Sequence, residues 1–270
     1  MVLDSTWAGN GGAEGAEAEG FAAHIALAEA PEFAAIIGLW DGTQYGGSGT
    51  WIGNDAEGFG YVLTAAHNFD GDADPARWTY YTRDGAEFQG LELFIHPDYA
   101  DAGEDFGGAD LAVVRLDGPV TDAGQAPLLY GGRDEVGRVA TITGFGSRGI
   151  GSAGEADEYY ADEVAAAARN VIDAIEGKGG LDQLLVDFDS EAGDANALDG
   201  DALPVDEYEG ILGSGDSGGS TWIETAQGWV IAGVNSWGDD AVYGSISAMT
   251  RVSTQIEWIT SVAPPARFTD

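Results

Sequence analysis

Short apolar and β-branched runs alternate with turns rich in glycine and aspartate along much of this chain. The runs are densest from residue 33 to about residue 116, and they return at 139–146 and 220–252. Runs of this length, separated by turn residues, are typical of antiparallel strands in barrels and sandwiches. The pattern predicts one antiparallel barrel in the first half of the chain and the strands of a second barrel in the other half.

Helical spacing occurs in two places. Near the C terminus, Thr254 and Glu257 have the spacing of a capping box, and the apolar residues at 252, 256, 259 and 262 fall on one helical face. This predicts a C-terminal helix over about 253–262. A second helix is predicted inside segment 147–209 by five residues at helical spacing, which are Val164, Ala168, Val171, Ile172 and Ile175.

The first residues have a different composition. Residues 8–20 consist of Ala, Gly and Glu apart from one Asn, a composition that cannot bury much apolar surface. We therefore predict a flexible N-terminal segment over 1–23 and a folded domain over 24–270. Within that domain, we place the first barrel at about 30–120 and the second at about 135–252.

The chain is strongly acidic. Its 270 residues include 47 acidic and 10 basic ones, giving a formal net charge of −37, yet 44% are hydrophobic, which allows a sizeable core. Such a surface repels nucleic acid and anionic membranes, and the chain has no run of about 18 apolar residues that could span a bilayer. We expect neither a nucleic-acid partner nor a membrane span. Because the charge is spread along the chain, we interpret it as a hydrated coat suited to high salt.

Calcium binding is the alternative explanation for two acidic stretches. Asp70, Asp72 and Asp74 alternate along a short loop that lacks the glycine and the distal glutamate of an EF-hand. The second stretch comprises Asp187, Asp189, Glu191, Asp194, Asp199 and Asp201. We interpret both as solvated acidic turns and predict no metal site and no cofactor.

The candidate chemistry centres on Ser217, which lies in the sequence Gly-Ser-Gly-Asp-Ser-Gly-Gly at 213–219. Glycines let the backbone bend tightly and bring N–H groups close to a ligand, although a turn without chemistry is the alternative for this segment alone. A serine nucleophile needs a base, and the three histidines, His24, His67 and His96, all precede Ser217. This order excludes the nucleophile elbow of α/β-hydrolases, in which the histidine follows the serine.

Three motifs together resemble the trypsin/chymotrypsin-like serine endopeptidases. They are Leu-Thr-Ala-Ala-His ending at His67, Asp-Leu-Ala-Val-Val-Arg-Leu beginning at Asp110, and Gly-Asp-Ser-Gly-Gly around Ser217. The resemblance covers roughly residues 30–262. It implies an all-β fold of two six-stranded antiparallel barrels, with a C-terminal helix and an insertion in the second barrel at 147–209.

The resemblance also implies catalytic roles. Ser217 would attack the scissile carbonyl, His67 would take and return the proton, and Asp110 would hold the imidazole in the correct tautomer. The main-chain N–H groups of Gly215 and Ser217 would form the oxyanion hole. His96, beside a proline turn, would be structural.

For the substrate, the resemblance implies a pocket with Ile211 as its floor and with Gly238 and Ser247 as its walls. The substrate backbone would pair as an extended strand with Ser236, Trp237 and Gly238. Because Ile211 is neutral, the acidic floor that selects Arg or Lys is absent. We therefore predict a small or medium apolar residue at P1.

Two features depart from the family pattern. The chain has no cysteine, so core packing replaces disulfides, which suggests a prokaryotic variant. The family's activating Ile-Val-Gly-Gly terminus, whose amine pairs with the carboxylate before the nucleophile, has no match in segment 24–33. Either cleavage before Ile25 supplies an amine to Asp216, or an internal donor satisfies Asp216, and we favour the internal donor.

The sequence thus predicts a serine endopeptidase that acts on protein or peptide substrates as a monomer. We expect it to be secreted or periplasmic, with a leader that is not visible in this chain. The alternative is a catalytically silent homologue that serves as an acidic, calcium-dependent binding module.

Overall fold

A computed structural model describes residues 1–99, 107–156 and 164–270. The first half contains helices α1 (Asp4–Gly9) and α2 (Ala22–Ala28) and strands β1 (Ile36–Trp40), β2 (Tyr45–Asn54), β3 (Gly60–Thr64), β4 (Thr79–Thr82), β5 (Glu87–Ile95) and β6 (Ala112–Leu116). These six strands form a closed antiparallel barrel in the order β1-β2-β3-β6-β5-β4. The predicted first barrel is therefore confirmed.

The second half is also built from strands. They are β7 (Leu128–Leu129), β8 (Val139–Gly144), β9 (Gly149–Ile150), β10 (Gly154–Glu155), β11 (Ala166–Val171), β12 (Ala174–Lys178), β13 (Leu181–Asp187), β14 (Ser220–Thr225), β15 (Gly228–Gly238) and β16 (Ile246–Arg251). An eight-stranded sheet has the order β11-β8-β14-β15-β16-β13-β12, with β7 paired to β15 in parallel, and β9 and β10 form a separate hairpin.

This second sheet differs in detail from the predicted six-stranded barrel, because its ladder is not closed. β11 contacts β13 through a side chain instead of a strand ladder, because Asn170 Nδ2 of β11 donates to the Asp187 carbonyl of β13 at 2.7 Å.

The helix predicted from Val164 to Ile175 is wrong. Ala168 and Val171 lie in β11, Ile175 lies in β12, and Val164 and Ile172 lie just outside these strands. Every residue of β11 pairs with β8, from Ala166 opposite Gly144 to Val171 opposite Val139. Alanine favours helices in isolation, but the ladder offered by β8 outweighs that local preference.

The predicted C-terminal helix is confirmed as one 3₁₀ turn, Val252–Thr254, followed by α3 (Ile256–Val262). The predicted capping box does not form, since the hydroxyl of Thr254 donates to the Arg251 carbonyl at 2.8 Å instead. Within the described ranges, no helix is long and apolar enough to cross a membrane.

The N-terminal segment, predicted to be flexible, has defined elements and contacts. Besides α1, it contains a 3₁₀ helix at Glu17–Phe21, and Met1, Val2 and Leu3 are 5%, 3% and 3% exposed. Their apolar side chains precede the Gly- and Glu-rich stretch that dominated the prediction, and Met1 and Leu3 pack into the core of the second sheet. Residues 1–23 thus belong to the folded domain.

One hydrophobic core spans both halves of the fold. It contains Val62 and Leu63 of the barrel together with Trp222, Ile231 and Val234 of the second sheet. The barrel and the sheet are therefore packed directly against each other, and loops from both reach the boundary between them.

Candidate active site

His67 and Asp110 come from neighbouring strands of the barrel. His67 lies in a 3₁₀ turn, Ala66–Phe69, directly after β3, and Asp110 lies just before β6, which pairs with β3. Because the end of β3 is opposite the start of β6, Thr64 is paired with Ala112 and the two loops meet. The antiparallel register of two barrel strands thus brings the histidine and the aspartate together.

The His67 imidazole is held by a buried carboxylate. Nδ1 of His67 lies 2.7 Å from Oδ2 of Asp110, and the His67 main-chain N–H donates to Oδ1 at 3.0 Å. Asp110 is fully buried, and Oδ2 also accepts a hydrogen bond from the Ser236 hydroxyl at 2.5 Å. Since a carboxylate only accepts, Nδ1 carries the proton, which makes Nε2 the basic nitrogen of this tautomer.

Ser217 lies in a glycine-rich loop that is fixed by contacts with the barrel. The Ser217 carbonyl accepts hydrogen bonds from the Ser48 N–H at 2.8 Å and from Asn68 Nδ2 at 3.0 Å. Gly218 has φ +88°, and a Cβ there would come within 2.1 Å of the Thr64 hydroxyl. Only glycine fits this position, because both the backbone angle and the space exclude a side chain.

Gly215 also has a positive φ, +95°. Within the part of the chain that the structure describes, the N–H groups of Gly215 and Ser217 donate no hydrogen bond to the protein, whereas those of Asp216, Gly218 and Gly219 do. Two main-chain donors beside the serine hydroxyl could therefore serve an external acceptor.

A cavity of about 240 Å³ brings the histidine and the serine together. His67 and Ser217 both line it, and the other lining residues are Glu155, Leu212, Gly213, Ser214, Ser236, Trp237, Gly238 and Asp239. The cavity lies where the barrel and the second sheet meet, and Asp110 lies behind its His67 wall.

The Trypsin family model matches residues 43–202. This chain belongs to the trypsin family. The matched range includes His67 and Asp110 and ends before Ser217. No curated protein matches the chain.

Asp216, next to Ser217, has internal donors in this member of the trypsin family. Its carboxylate accepts hydrogen bonds from the N–H groups of Gly146 at 2.9 Å and Gly213 at 2.8 Å. The amino group of Met1 is buried nearby and donates to the Ile211 carbonyl at 2.6 Å. Burial raises the pKa of Asp216, and the positive Met1 amine opposes that change.

Burial and charge also act on the Met1 amino group. Burial lowers its pKa, and the Asp216 carboxylate raises it. Ile25, the alternative source of an amine, lies inside α2. The donors that Asp216 has in this structure are thus two main-chain N–H groups, with the Met1 amine as a nearby positive charge.

The residue predicted as the floor of the substrate pocket does not line the cavity. Ile211 is 2% exposed and packs in the core of the second sheet, so it does not line the cavity beside Ser217. Its neighbour Leu212 does line the cavity, together with the predicted Ser236, Trp237 and Gly238. Ser247 is paired with Gly238, and a Cβ on Gly238 would come within 2.9 Å of the Ser247 hydroxyl.

Two acidic residues at the cavity were missed by the sequence analysis. Glu155 lies outside the recognised motifs, in the hairpin of β9 and β10, and its carboxylate accepts the Ser214 N–H at 2.6 Å. Asp239 directly follows Gly238, so its place beside the substrate strand could have been inferred from the sequence. Both are exposed, so the mouth of the cavity is negatively charged.

His24 and His96 lie away from the cavity. His24 is 1% exposed, its Nδ1 lies 2.8 Å from the Ala167 carbonyl, and burial lowers its pKa to about 4. His96 is 6% exposed, and its ring lies beside that of Trp258, with 5.0 Å between ring centroids.

The first acidic stretch forms solvent-exposed turns. Both oxygens of the Asp70 carboxylate accept the Tyr99 hydroxyl at 2.9 Å. Asp72 accepts the Asp74 N–H, and Asp74 accepts the Ala76 N–H, at 3.2 and 2.9 Å. Asp72 and Asp74 therefore stabilise local turns, whereas Asp70 joins the loop to Tyr99.

The second acidic stretch is only partly solvated. Glu191, Asp194, Asp199 and Asp201 are exposed. Asp187 and Asp189, however, are 2% and 7% exposed, and they lie near Glu209, which is 1% exposed. Burial and the neighbouring carboxylates raise the pKa of Asp189 to about 6 and that of Glu209 to about 8.

Asp173 is half-buried beside Asp187, and burial together with Asp187 raises its pKa to about 7. Among residues 1–99, 107–156 and 164–270, no three acidic or histidine side chains converge in a way that could hold a metal ion.

Proposed function

We propose that this protein is a serine endopeptidase in which Ser217, His67 and Asp110 form the catalytic triad. The observation that carries the proposal is the 2.7 Å contact between His67 Nδ1 and the buried Asp110 carboxylate, with His67 and Ser217 lining one cavity. The serine attacks the scissile carbonyl, and Nε2 of His67 takes its proton and later gives it to the leaving amine. This chemistry needs no cofactor.

The Gly215 and Ser217 N–H groups bind the oxyanion in this proposal. A donor of this kind contributes about 10² to 10³ to turnover in related sites. The positive φ values of Gly215 and Gly218 and the hydrogen bonds to the Ser217 carbonyl support a loop that is rigid before substrate arrives. A preformed site requires little reorganisation during the reaction.

For the substrate, we propose a protein or peptide chain that pairs in an extended conformation with Ser236, Trp237 and Gly238. The lining of the cavity includes the neutral residues Leu212 and Gly213, and no basic or acidic residue stands at the predicted floor position, Ile211. This supports a small or medium apolar residue at P1. Faster cleavage of Arg or Lys peptides than of Ala, Val, Leu or Phe peptides would contradict that preference.

A serine-directed fluorophosphonate probe tests the proposed activity. We expect the probe to label the parent protein and not Ser217→Ala, whereas Ser220→Ala, a buried serine of β14, should label like the parent. Equal labelling of the parent and Ser217→Ala would refute the role of Ser217. No labelling of either would favour the alternative of a silent binding homologue.

We further propose that the enzyme is a secreted monomer from a salt-adapted organism, on the basis of its acidic surface.

A further inference from the structure

The short segment that carries Asp110 is held by side chains from the other half of the molecule. The hydroxyl of Thr250, in β16, donates to the Asp110 carbonyl at 3.0 Å. Nε2 of Gln255, just before α3, donates to the Gly108 carbonyl at 2.6 Å. Both contacts are buried, and both cross from the second sheet and its C-terminal helix to the barrel.

The amide of Gln255 lies near a histidine. Nδ1 of His96 accepts the Asp98 N–H at 3.2 Å, so the proton of the neutral ring is on Nε2. The side chain of Gln255 interacts with His96 and favours the protonated form of its ring. His96 and the Gly108 carbonyl thus both lie within reach of the Gln255 amide.

Close packing limits how far the Asp110 segment can move. A Cβ on Gly108 would come within 2.4 Å of the Asp182 nitrogen and of the Leu181 carbonyl carbon, at the start of β13. The segment therefore lies against the second sheet without space for a side chain. Its carbonyl groups accept hydrogen bonds from Thr250 and Gln255. Removing either donor would leave a buried carbonyl oxygen unpaired.

We propose that Thr250 and Gln255 are positioning residues that hold Asp110 in place for His67 across the boundary between the two halves. The inference rests on the proposed function, because placement of Asp110 matters for catalysis only if His67 is the base. Neither residue lines the cavity, so neither contacts substrate. A misplacement of about 1 Å in a catalytic group can cost on the order of 10² in rate.

The test compares Thr250→Val, which removes the hydroxyl at nearly constant shape, with Thr250→Ser, which restores a hydroxyl. Thr141→Val is the matched control, because Thr141 is equally buried and its hydroxyl has no partner among the described residues. Gln255→Met provides an independent second variant. For each protein, kcat per titrated active site and KM are measured on one peptide substrate.

We expect kcat to fall on the order of tenfold in Thr250→Val and Gln255→Met, with KM unchanged. Thr250→Ser should recover most of the loss, and Thr141→Val should match the parent. An unchanged kcat per active site in both Thr250→Val and Gln255→Met, whatever their thermal stability, would overturn the inference.

A second readout does not require activity. The proton between His67 Nδ1 and Asp110 should give a far-downfield ¹H NMR resonance, and we expect it to shift or broaden in Thr250→Val but not in Thr141→Val. An unchanged resonance in Thr250→Val would contradict the positioning role. Failure of the fluorophosphonate probe to label the parent would instead refute the proposed function, so the two failures are distinguishable.

Discussion

Stability should decrease as pH rises, because Glu209 is buried close to other carboxylates. Its Oε2 atom accepts the Val205 N–H at 3.0 Å, and its Oε1 atom has no partner within the described ranges. Burial, followed by the charge of Asp189, raises its pKa from 4.5 to about 8. The folded protein therefore holds a proton on Glu209 that the unfolded chain loses at lower pH.

The sign follows from this difference in proton binding. Between about pH 4.5 and pH 8 the folded state binds more protons at this site than the unfolded state, so the free energy of unfolding falls as pH rises. Across that window, the proton equilibrium of Glu209 lowers the free energy of unfolding by on the order of 5 kcal/mol. This is a large part of the total for a typical domain, about 5–15 kcal/mol.

The perturbation is Glu209→Gln, which keeps the shape and the acceptor for the Val205 N–H but cannot ionise. Urea unfolding at pH 5 and pH 8.5, at one fixed NaCl concentration, gives the free energy of unfolding of each protein. We expect similar values at pH 5 and a variant that is more stable by several kcal/mol at pH 8.5. Glu207 is an exposed carboxylate two residues away, and the control variant Glu207→Gln should behave like the parent. Equal pH dependence in the parent and Glu209→Gln would refute the reasoning.

The remaining predictions concern the glycine loop and the acidic surface. Gly218→Ala should lower the free energy of unfolding by roughly 1–3 kcal/mol more than Gly228→Ala. Both glycines have positive φ, but only at Gly218 would a Cβ meet a close neighbour, the Thr64 hydroxyl. Equal losses of the two variants in urea unfolding would contradict this. Thermal melts should shift upward from low to molar NaCl, because salt screens the repulsion among charges totalling −37, and a flat or falling Tm would count against it.

The sequence predicted the barrel from local patterns, and its three candidate residues, His67, Asp110 and Ser217, lie close together in the structure. His67 follows the apolar run that forms β3, and Asp110 precedes the run that forms β6. The register of that strand pair brings the two residues together. The glycines around Ser217 indicated a constrained loop, and two of them, Gly215 and Gly218, have the positive φ that such a loop requires.

What the sequence did not predict depends on contacts between distant segments. The alanines of β11 favour a helix locally, and only the free edge of β8 makes them a strand. Ile211 was placed in the pocket by its distance from Ser217, although its side chain packs into the core of the second sheet. The burial of Glu209 arises because its loop folds back beside Arg169 of β11, a contact that no short window of sequence contains.

The rate at which a fluorophosphonate modifies Ser217, located by mass spectrometry in the parent and in Asp110→Asn, tests the central claim most directly. The account predicts an adduct on Ser217 and a rate that falls on the order of 10⁴-fold in Asp110→Asn, because the imidazole loses its correct tautomer. An adduct on another residue, or equal rates in the two proteins, would contradict it.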